Sequence, residues 1–231
     1  MTASAIIVAA GSGTRLGFDT PKAFVTLGGR TILWHSLKTF AALAKAGAIV
    51  EAVITVPAGM ERAARAEAAA THLDIPVKIT PGGAERQDSV RIALALTSAA
   101  SELVVVHDAA RPFATADLFT RCLKAASRAG GAVAANALAD TLKRVDGQAI
   151  VGTIPRAGLW QAQTPQAFRR DLLIQAHERA KREGILATDD ADLVERLGVA
   201  VEIVESATSN LKITGRADLE IAQLIAARGM R

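Results

Sequence analysis

Two glycine turns and a set of well-spaced cations are the residues of this chain equipped to handle phosphate. The first turn reads Ala9-Ala10-Gly11-Ser12-Gly13-Thr14-Arg15-Leu16-Gly17 and is followed by Pro21-Lys22. A glycine-rich turn leaving a strand exposes backbone N–H groups that cradle phosphate oxygens. Glycine also removes the Cβ that would block close approach. Two familiar patterns fail in detail. The dinucleotide fingerprint needs glycine where Leu16 stands, and Glu51 lies too far on to serve as its ribose carboxylate. The Walker pattern needs Gly-Lys-Ser/Thr, but Phe18 follows Gly17. What remains is a phosphate loop flanked by Arg15 and Lys22. An ordinary strand-to-helix turn with surface cations is the plain structural alternative.

Further strings carry chemistry-capable groups. Gly82-Gly83-Ala84-Glu85-Arg86-Gln87-Asp88-Ser89-Val90 offers a second tight turn and a hydroxyl near a helix start, where Ser89 alone would suit an N-cap. Val106-His107-Asp108-Ala109-Ala110-Arg111-Pro112 ends a strand with a carboxylate placed to orient magnesium or a ribose. Taken singly, Asp108 would cap the next turn and His107 would be a packed, hydrogen-bonded residue. Asp140-Thr141-Leu142-Lys143 and the string from Arg156 through Trp160 to Phe168 flank a charged, glycine-containing region, and the second is chemically odd for a core element. Thr188-Asp189-Asp190-Ala191 opens a helix, with Asp189 a plausible cap three residues before Asp192. Asn210-Leu211-Lys212-Ile213-Thr214 alternates like a strand, in which Lys212 would discourage edge pairing.

Together these strings resemble a known family. Ala-Ala-Gly-x-Gly-x-Arg followed by Pro-Lys is similar to the signature of sugar-phosphate nucleotidyltransferases. The intact His-Asp-Ala-Ala-Arg-Pro string and the run from Arg156 to Phe168 closely resemble the methylerythritol-phosphate and ribitol-phosphate cytidylyltransferases, and the motifs follow in order from about residue 5 to residue 220. The resemblance implies CTP and a polyol phosphate as substrates, with methylerythritol phosphate favoured over ribitol 5-phosphate. It implies a nucleotide site at Ala9, Ala10, Gly11, Gly13, Gly83, Ser89 and Asp108. It implies Arg15 and Lys22 at the triphosphate, Arg156 and Lys212 at the attacking phosphate, and Arg111, Thr141 and Thr188 at the second substrate. Magnesium is the expected cofactor, with Asp108 as its carboxylate. A homodimer is expected, in which an arm carries Thr141 and Arg156 to the partner's substrate. Ser206-Ala207-Thr208-Ser209 departs from the glycine-rich or acidic versions of relatives, so that loop is assigned no contact. A nucleotidyltransferase using UTP or GTP, an NAD-dependent oxidoreductase and a non-catalytic nucleotide module are the competing readings.

Such loops must sit at strand ends, and the hydrophobic pattern supplies the strands. Ala5 to Ala9, Ala52 to Val56, Leu103 to Val106 and Ala132 to Ala135 read as short buried strands. Leu33 to Ala44, Glu61 to Ala70, Val90 to Ala99 and Asp117 to Ala129 have helical spacing between them. The alternation predicts an α/β fold: a Rossmann-like, mostly parallel sheet flanked by helices, of nucleotidyltransferase type. Residues 138–163 break the rhythm and are predicted to form a projecting β-arm on a single domain spanning residues 1–231. Some relatives are fused to the enzyme of a later step; no second domain is read here.

Composition narrows the classes further. Half of the 231 residues are apolar, enough for one sizeable core. The single cysteine, Cys122, excludes a disulfide framework and a cysteine-based zinc site, and its helical face predicts a buried thiol. A net charge of +4 without a Lys/Arg block, and eight aromatics without a tyrosine, give no platform for nucleic acid. With no leader-like start and no apolar run of about 18 residues, neither a signal peptide nor a membrane partner is expected, and the cytoplasm is the expected location.

Overall fold

The protein is described by a computed structural model covering residues 2–229 except 12, 14–16, 18 and 19. Arg15, expected at the triphosphate, lies outside the described residues. The chain opens with β1 (Ala3–Val8), a small ribbon of β2 (Thr26–Leu27) and β3 (Arg30–Thr31), and α1 (Ile32–Lys45). Next come β4 (Glu51–Val56), α2 (Glu61–Ala70), β5 (Val77–Pro81), α3 (Arg86–Ala95), β6 (Leu103–Asp108) and α4 (Ala116–Ala129). The remainder is β7 (Gly131–Ala137), a hairpin of β8 (Leu142–Asp146) and β9 (Ala149–Ile154), β10 (Trp160–Arg169), α5 (Arg170–Glu183), α6 (Asp190–Glu195), β11 (Val201–Glu205) and α7 (Arg216–Ala227).

The described residues build a seven-stranded sheet in the order β11-β7-β10-β6-β1-β4-β5. Its neighbours pair in parallel except at β10, which runs antiparallel to both β6 and β7. Side chains alternate across the pleat, so each strand feeds two layers. Ala5 and Ile7 face a core with Phe40 of α1, Ala64 of α2 and Phe119 of α4. Ile6 faces the opposite core with Val90 of α3, Leu173 of α5 and Val194 of α6. The expected sheet with helices on both faces is therefore present. Cys122 is buried in the first core, and burial pushes its thiol up to about 12, which makes it inert.

Local chemistry sets the helix ends. Thr31 Oγ1 accepts from Trp34 N at the start of α1, and Thr115 Oγ1 accepts from Leu118 N at the start of α4. Asp189 caps α6 as its spacing suggested, accepting from Asp192 N at 3.0 Å. Two expectations are corrected. The helix expected over 90–99 is α3, which starts at Arg86 and ends at Ala95. Its first turn is polar and so escaped an apolar periodicity; its end is drawn off by Thr97 Oγ1, which bonds Leu94 O at 2.7 Å, and by Lys78 Nζ, which bonds Leu96 O at 2.6 Å. Asn210–Thr214 is not a strand. Ile213 N bonds Ala110 O at 2.9 Å and Asn210 Nδ2 bonds Thr164 O at 3.0 Å, so the segment is pinned by point contacts rather than by a ladder.

The projecting arm is the β8–β9 hairpin. The expected arm boundary at residue 163 is too late, because Trp160–Ala162 already pairs with Ala135–Ala137 of β7. The string that looked odd for a core element continues as the buried part of β10. Its polar groups are tolerated because they are bonded. Gln166 Oε1 accepts from Asp190 N at 3.1 Å, and Gln166 Nε2 donates to Asp189 Oδ2 at 2.9 Å.

Candidate active site

The loops that follow β1, β5 and β6 meet at the carboxyl ends of the parallel strands, where ligands bind in such sheets. They enclose a cleft of about 280 Å³ lined by Ala9, Ala10 and Gly11, by Lys22, by Gly83, Arg86 and Ser89, by Asp108 and by Lys212. Sequence-predicted residues from five separate segments are thus brought together. Gly13 sits beside them at φ +70°, and a Cβ there would stand 2.5 Å from Lys22 Cβ. The loop therefore needs glycine to let the lysine-bearing 3₁₀ turn Lys22–Phe24 close against it.

The second glycine turn is stapled to α3. Ser89 lies inside the helix, not at its N-cap. Its hydroxyl accepts from Gly83 N at 3.1 Å and donates to Glu85 O at 3.2 Å. A Cβ on Gly82 would collide with Ala10 Cβ and Ser89 Oγ, so the two glycine turns touch through a position only glycine fits.

Asp108 ends β6 level with Val8 of β1. Its carboxylate is not a turn cap. Oδ1 accepts from Arg86 Nε at 2.9 Å and Oδ2 accepts from Lys212 Nζ at 2.7 Å. Burial pushes this carboxyl up, but the charges of Arg86 and Lys212 outweigh burial and hold it well below the usual carboxylate range. Arg86 Nη1 also donates to Asp190 Oδ2 at 2.8 Å, and His177 Nε2 bonds Asp190 Oδ1 at 3.0 Å. Burial works against the Arg86 charge, but Asp190 and Asp108 more than offset it and raise its pKa further. His107 is the packed residue that its type suggested. Nε2 bonds Arg111 O at 3.1 Å, Nδ1 bonds Thr164 Oγ1 at 3.1 Å, and burial lowers its pKa to about 4, so it is neutral at pH 7.

A smaller recess of about 200 Å³ adjoins the cleft and shares Arg86, Asp108 and Lys212 with it. Arg111, Thr188, Asp189 and the polar face of β10 complete its wall. The ladder shifts register between Ala162 and Gln166, and this bulge turns Thr164 Oγ1 toward Asp108 N at 3.0 Å. Arg111 is buried; its Nη1 donates to Asn210 O at 2.8 Å, so part of its donor set is committed to the chain itself. Thr141 and Arg156 lie exposed on the arm and border neither recess. Arg86, on the wall of both recesses, was missed as a site residue, and its buried partners Asp190 and His177 were not singled out.

No group of three or more His, Cys, Asp or Glu among the described residues forms a metal cage. Asp108 fits a different role. Magnesium on a triphosphate is held by phosphate oxygens and water with one or two carboxylates. Each Asp108 oxygen accepts one hydrogen bond and keeps a second lone pair.

A mostly parallel sheet whose strand ends carry two touching glycine turns, two lysines and a carboxylate–arginine chain has the architecture of a nucleotidyltransferase. The chain belongs to the IspD family, 2-C-methyl-D-erythritol 4-phosphate cytidylyltransferase, whose model matches residues 3–228. It is 45% identical over 222 residues to the 2-C-methyl-D-erythritol 4-phosphate cytidylyltransferase of Deinococcus radiodurans, covering 96% of this chain and 88% of the relative. It is 48% identical over 221 residues to the bifunctional enzyme IspD/IspF of Rhodospirillum rubrum, covering 95% of this chain but only 56% of that longer relative. The crystal structure of 2-C-methyl-D-erythritol 4-phosphate cytidylyltransferase from Thermus thermophilus superimposes with a TM-score of 0.80 at 38% identity, covering 98% of this chain and 100% of that one. No helix among the described residues is long and apolar enough to cross a membrane.

Proposed function

We propose that this chain transfers the cytidylyl group of CTP to 2-C-methyl-D-erythritol 4-phosphate, giving 4-CDP-2-C-methyl-D-erythritol and pyrophosphate, in non-mevalonate isoprenoid precursor synthesis. The observation that carries this reading is the meeting of Lys22, Lys212 and both glycine turns on one cleft, in a chain that matches the family over residues 3–228.

A phosphate monoester oxygen of the acceptor attacks the α-phosphorus of CTP. The new P–O bond forms as the bond to the bridging oxygen breaks, and pyrophosphate leaves in line with that electron pair. No protein base is required, because a phosphate monoester with a second pKa near 6 is mostly dianionic at neutral pH. The difficulty is repulsion between two polyanions, and fixed cations offset it most strongly as charge builds in the transition state. Lys22 serves the triphosphate together with Arg15. Lys212, held by Asp108 where the two recesses meet, serves the attacking phosphate. Ser89 and Gly83 shape the wall for the nucleoside, while Arg111 and Thr188 face the acceptor in the smaller recess. A magnesium ion at the triphosphate oxygens would be held by Asp108 and would neutralise part of their charge.

The arm supports a homodimer in which Thr141 and Arg156 reach the partner's acceptor phosphate. Its hairpin leaves Val145, Ile150 and Val151 at 58%, 64% and 57% exposure, an apolar surface that suits a second copy. The cytoplasm suits both substrates.

The test is pyrophosphate release from CTP and magnesium, with 2-C-methyl-D-erythritol 4-phosphate and ribitol 5-phosphate offered in parallel. Release with the first acceptor supports the proposal. Release with the second alone moves the acceptor assignment, and release with neither from folded protein overturns the reaction.

A further inference from the structure

We propose that Asp190 and His177 are positioning residues for the transfer reaction: through Arg86 they hold Asp108, and through Asp108 they hold Lys212, at the line where the two recesses meet. The inference rests on the cytidylyl-transfer reading and goes beyond it, since neither residue borders the cleft.

The geometry is a linear chain of four contacts. His177 Nε2 bonds Asp190 Oδ1 at 3.0 Å, and Asp190 Oδ2 accepts from Arg86 Nη1 at 2.8 Å. Arg86 Nε then reaches Asp108 Oδ1 at 2.9 Å, and Asp108 Oδ2 receives Lys212 Nζ at 2.7 Å. Its two ends differ in exposure, with Asp108 at 10% between the two cations. The Lys212 side chain is 39% exposed and that of Arg86 26%, whereas Asp190 and His177 are each at 1%. The exposed end faces substrate and the buried end does not, so Asp190 and His177 act through Arg86. A buried carboxylate–arginine pair is weak evidence of stabilisation, since apolar residues of similar volume often do as well. A guanidinium, however, presents its donors in a fixed plane, and anchoring two of its nitrogens on separate carboxylates fixes that plane. Asp190 supplies the anchor away from the cleft. The contact with the Asp190 carboxylate is one in which His177 Nε2 donates.

Asp190 also joins the two recesses. It directly follows Thr188 and Asp189, which line the smaller one, and its backbone N–H bonds Gln166 Oε1 at 3.1 Å. A shift of the acceptor wall therefore reaches Arg86, on the wall of the cleft, through a single residue.

A merely structural role, docking α6 on α5, makes a different prediction: lower melting temperature with unchanged turnover per folded site. Wild type, Asp190→Asn, His177→Leu and His177→Gln are compared by steady-state kinetics with CTP and acceptor varied separately, alongside thermal unfolding. Small misplacements of positioned groups cost up to about 100-fold. Asp190→Asn is expected to lose roughly 10- to 100-fold in kcat with KM for CTP changed less than about threefold. His177→Leu is expected to lose kcat in the same sense, and His177→Gln, which retains an N–H donor, to recover it. If Asp190→Asn does not fold, the His177 pair carries the test. Variants that fold with kcat and KM within about twofold of an active wild type overturn this inference alone. A folded wild type with no turnover on any acceptor overturns the transfer reading and this inference with it.

Discussion

Lys212 Nζ lies 2.7 Å from Asp108 Oδ2, although 104 residues separate the two in sequence. The pair ties an irregular segment near the C-terminus to the end of a central strand. Because Arg86 holds the other oxygen, Asp108 is an anionic hinge between two cations. Losing it leaves Lys212 unanchored and Arg86 with one carboxylate. Asp108→Asn is expected to cost about 3 kcal/mol at pH 7, the lower end of the range for breaking a buried pair, because Lys212 keeps partial access to water. The carboxyl's folded pKa is depressed by Arg86 and Lys212 against burial, so its contribution is full above the unfolded value of about 3.9 and is lost as pH falls from there toward the folded value. Urea midpoints of wild type and Asp108→Asn should therefore converge below about pH 4. A gap of equal size at pH 3 and pH 7 would show that the pair is not the source of the difference. Asp190 is depressed in the same direction, so an acid limb persists in the variant.

Lys22 faces the cleft from a turn that packs on Gly13. Removal of a donor that stabilises transition-state charge costs on the order of 100- to 1,000-fold in turnover. Lys22→Ala should show that loss in kcat with a melting temperature close to wild type. Near-normal turnover in a folded variant removes Lys22 from the mechanism.

Gly82 separates the two glycine turns. An alanine there meets Ala10 Cβ and Ser89 Oγ, and Ala10 is backbone-fixed on the cleft wall. The clash has to move one loop off the other. Gly82→Ala is expected to weaken CTP binding at least tenfold by calorimetry and to lower stability by about 1–3 kcal/mol. The control Gly29→Ala, at a site with no atom within 4 Å of the added carbon but with φ +81°, should cost stability without changing CTP affinity. Equal CTP affinity in wild type and Gly82→Ala would mean that the two turns do not need to touch.

Arg156 is exposed on the arm and borders neither recess of its own chain. If it acts across a dimer, mixing inactive Lys22→Ala and Arg156→Ala chains restores activity, because one hybrid site carries both defects and the other neither. Isolated heterodimers that stay inactive would assign Arg156 to its own subunit.

The sheet was legible because its strands are short apolar runs closed by turn chemistry, and the loops that follow them carry the glycines and charges. Lys22, Gly83, Ser89 and Asp108, expected at the nucleotide, and Lys212, expected at the attacking phosphate, line one cleft. Arg86 was not seen, since the helix was expected to start at Val90 and left it in the preceding turn, where an arginine reads as a surface cation. Its partners, Asp108 and Asp190, are 22 and 104 residues away, and no local pattern links them. His177 was hidden in the same way, on a helix whose inward face is otherwise Leu173, Ala176 and Ala180. Asn210–Thr214 alternates like a strand because Leu211 and Ile213, two apart, pack on one small cluster, yet its bonds go to Ala110 and Thr164, so periodicity misled. In β10 the polar residues argued against a core position. They occupy one because Gln166 and Thr164 are bonded to Asp189, Asp190 and His107.

The antiparallel placement of β10 beside β7 has a consequence for how the molecule can change. Ala137 and Trp160 are partners in the ladder, so residues 138–159 leave and rejoin the sheet at one point. The hairpin is a graft on a closed loop: the sheet holds its two ends together, and each doubling of its length adds only about 0.6 kcal/mol of closure cost. The length of the graft is therefore free to drift without disturbing the strand ends that line the cleft. A lineage can lengthen or shorten that single insertion while the cleft at the strand ends stays as it is.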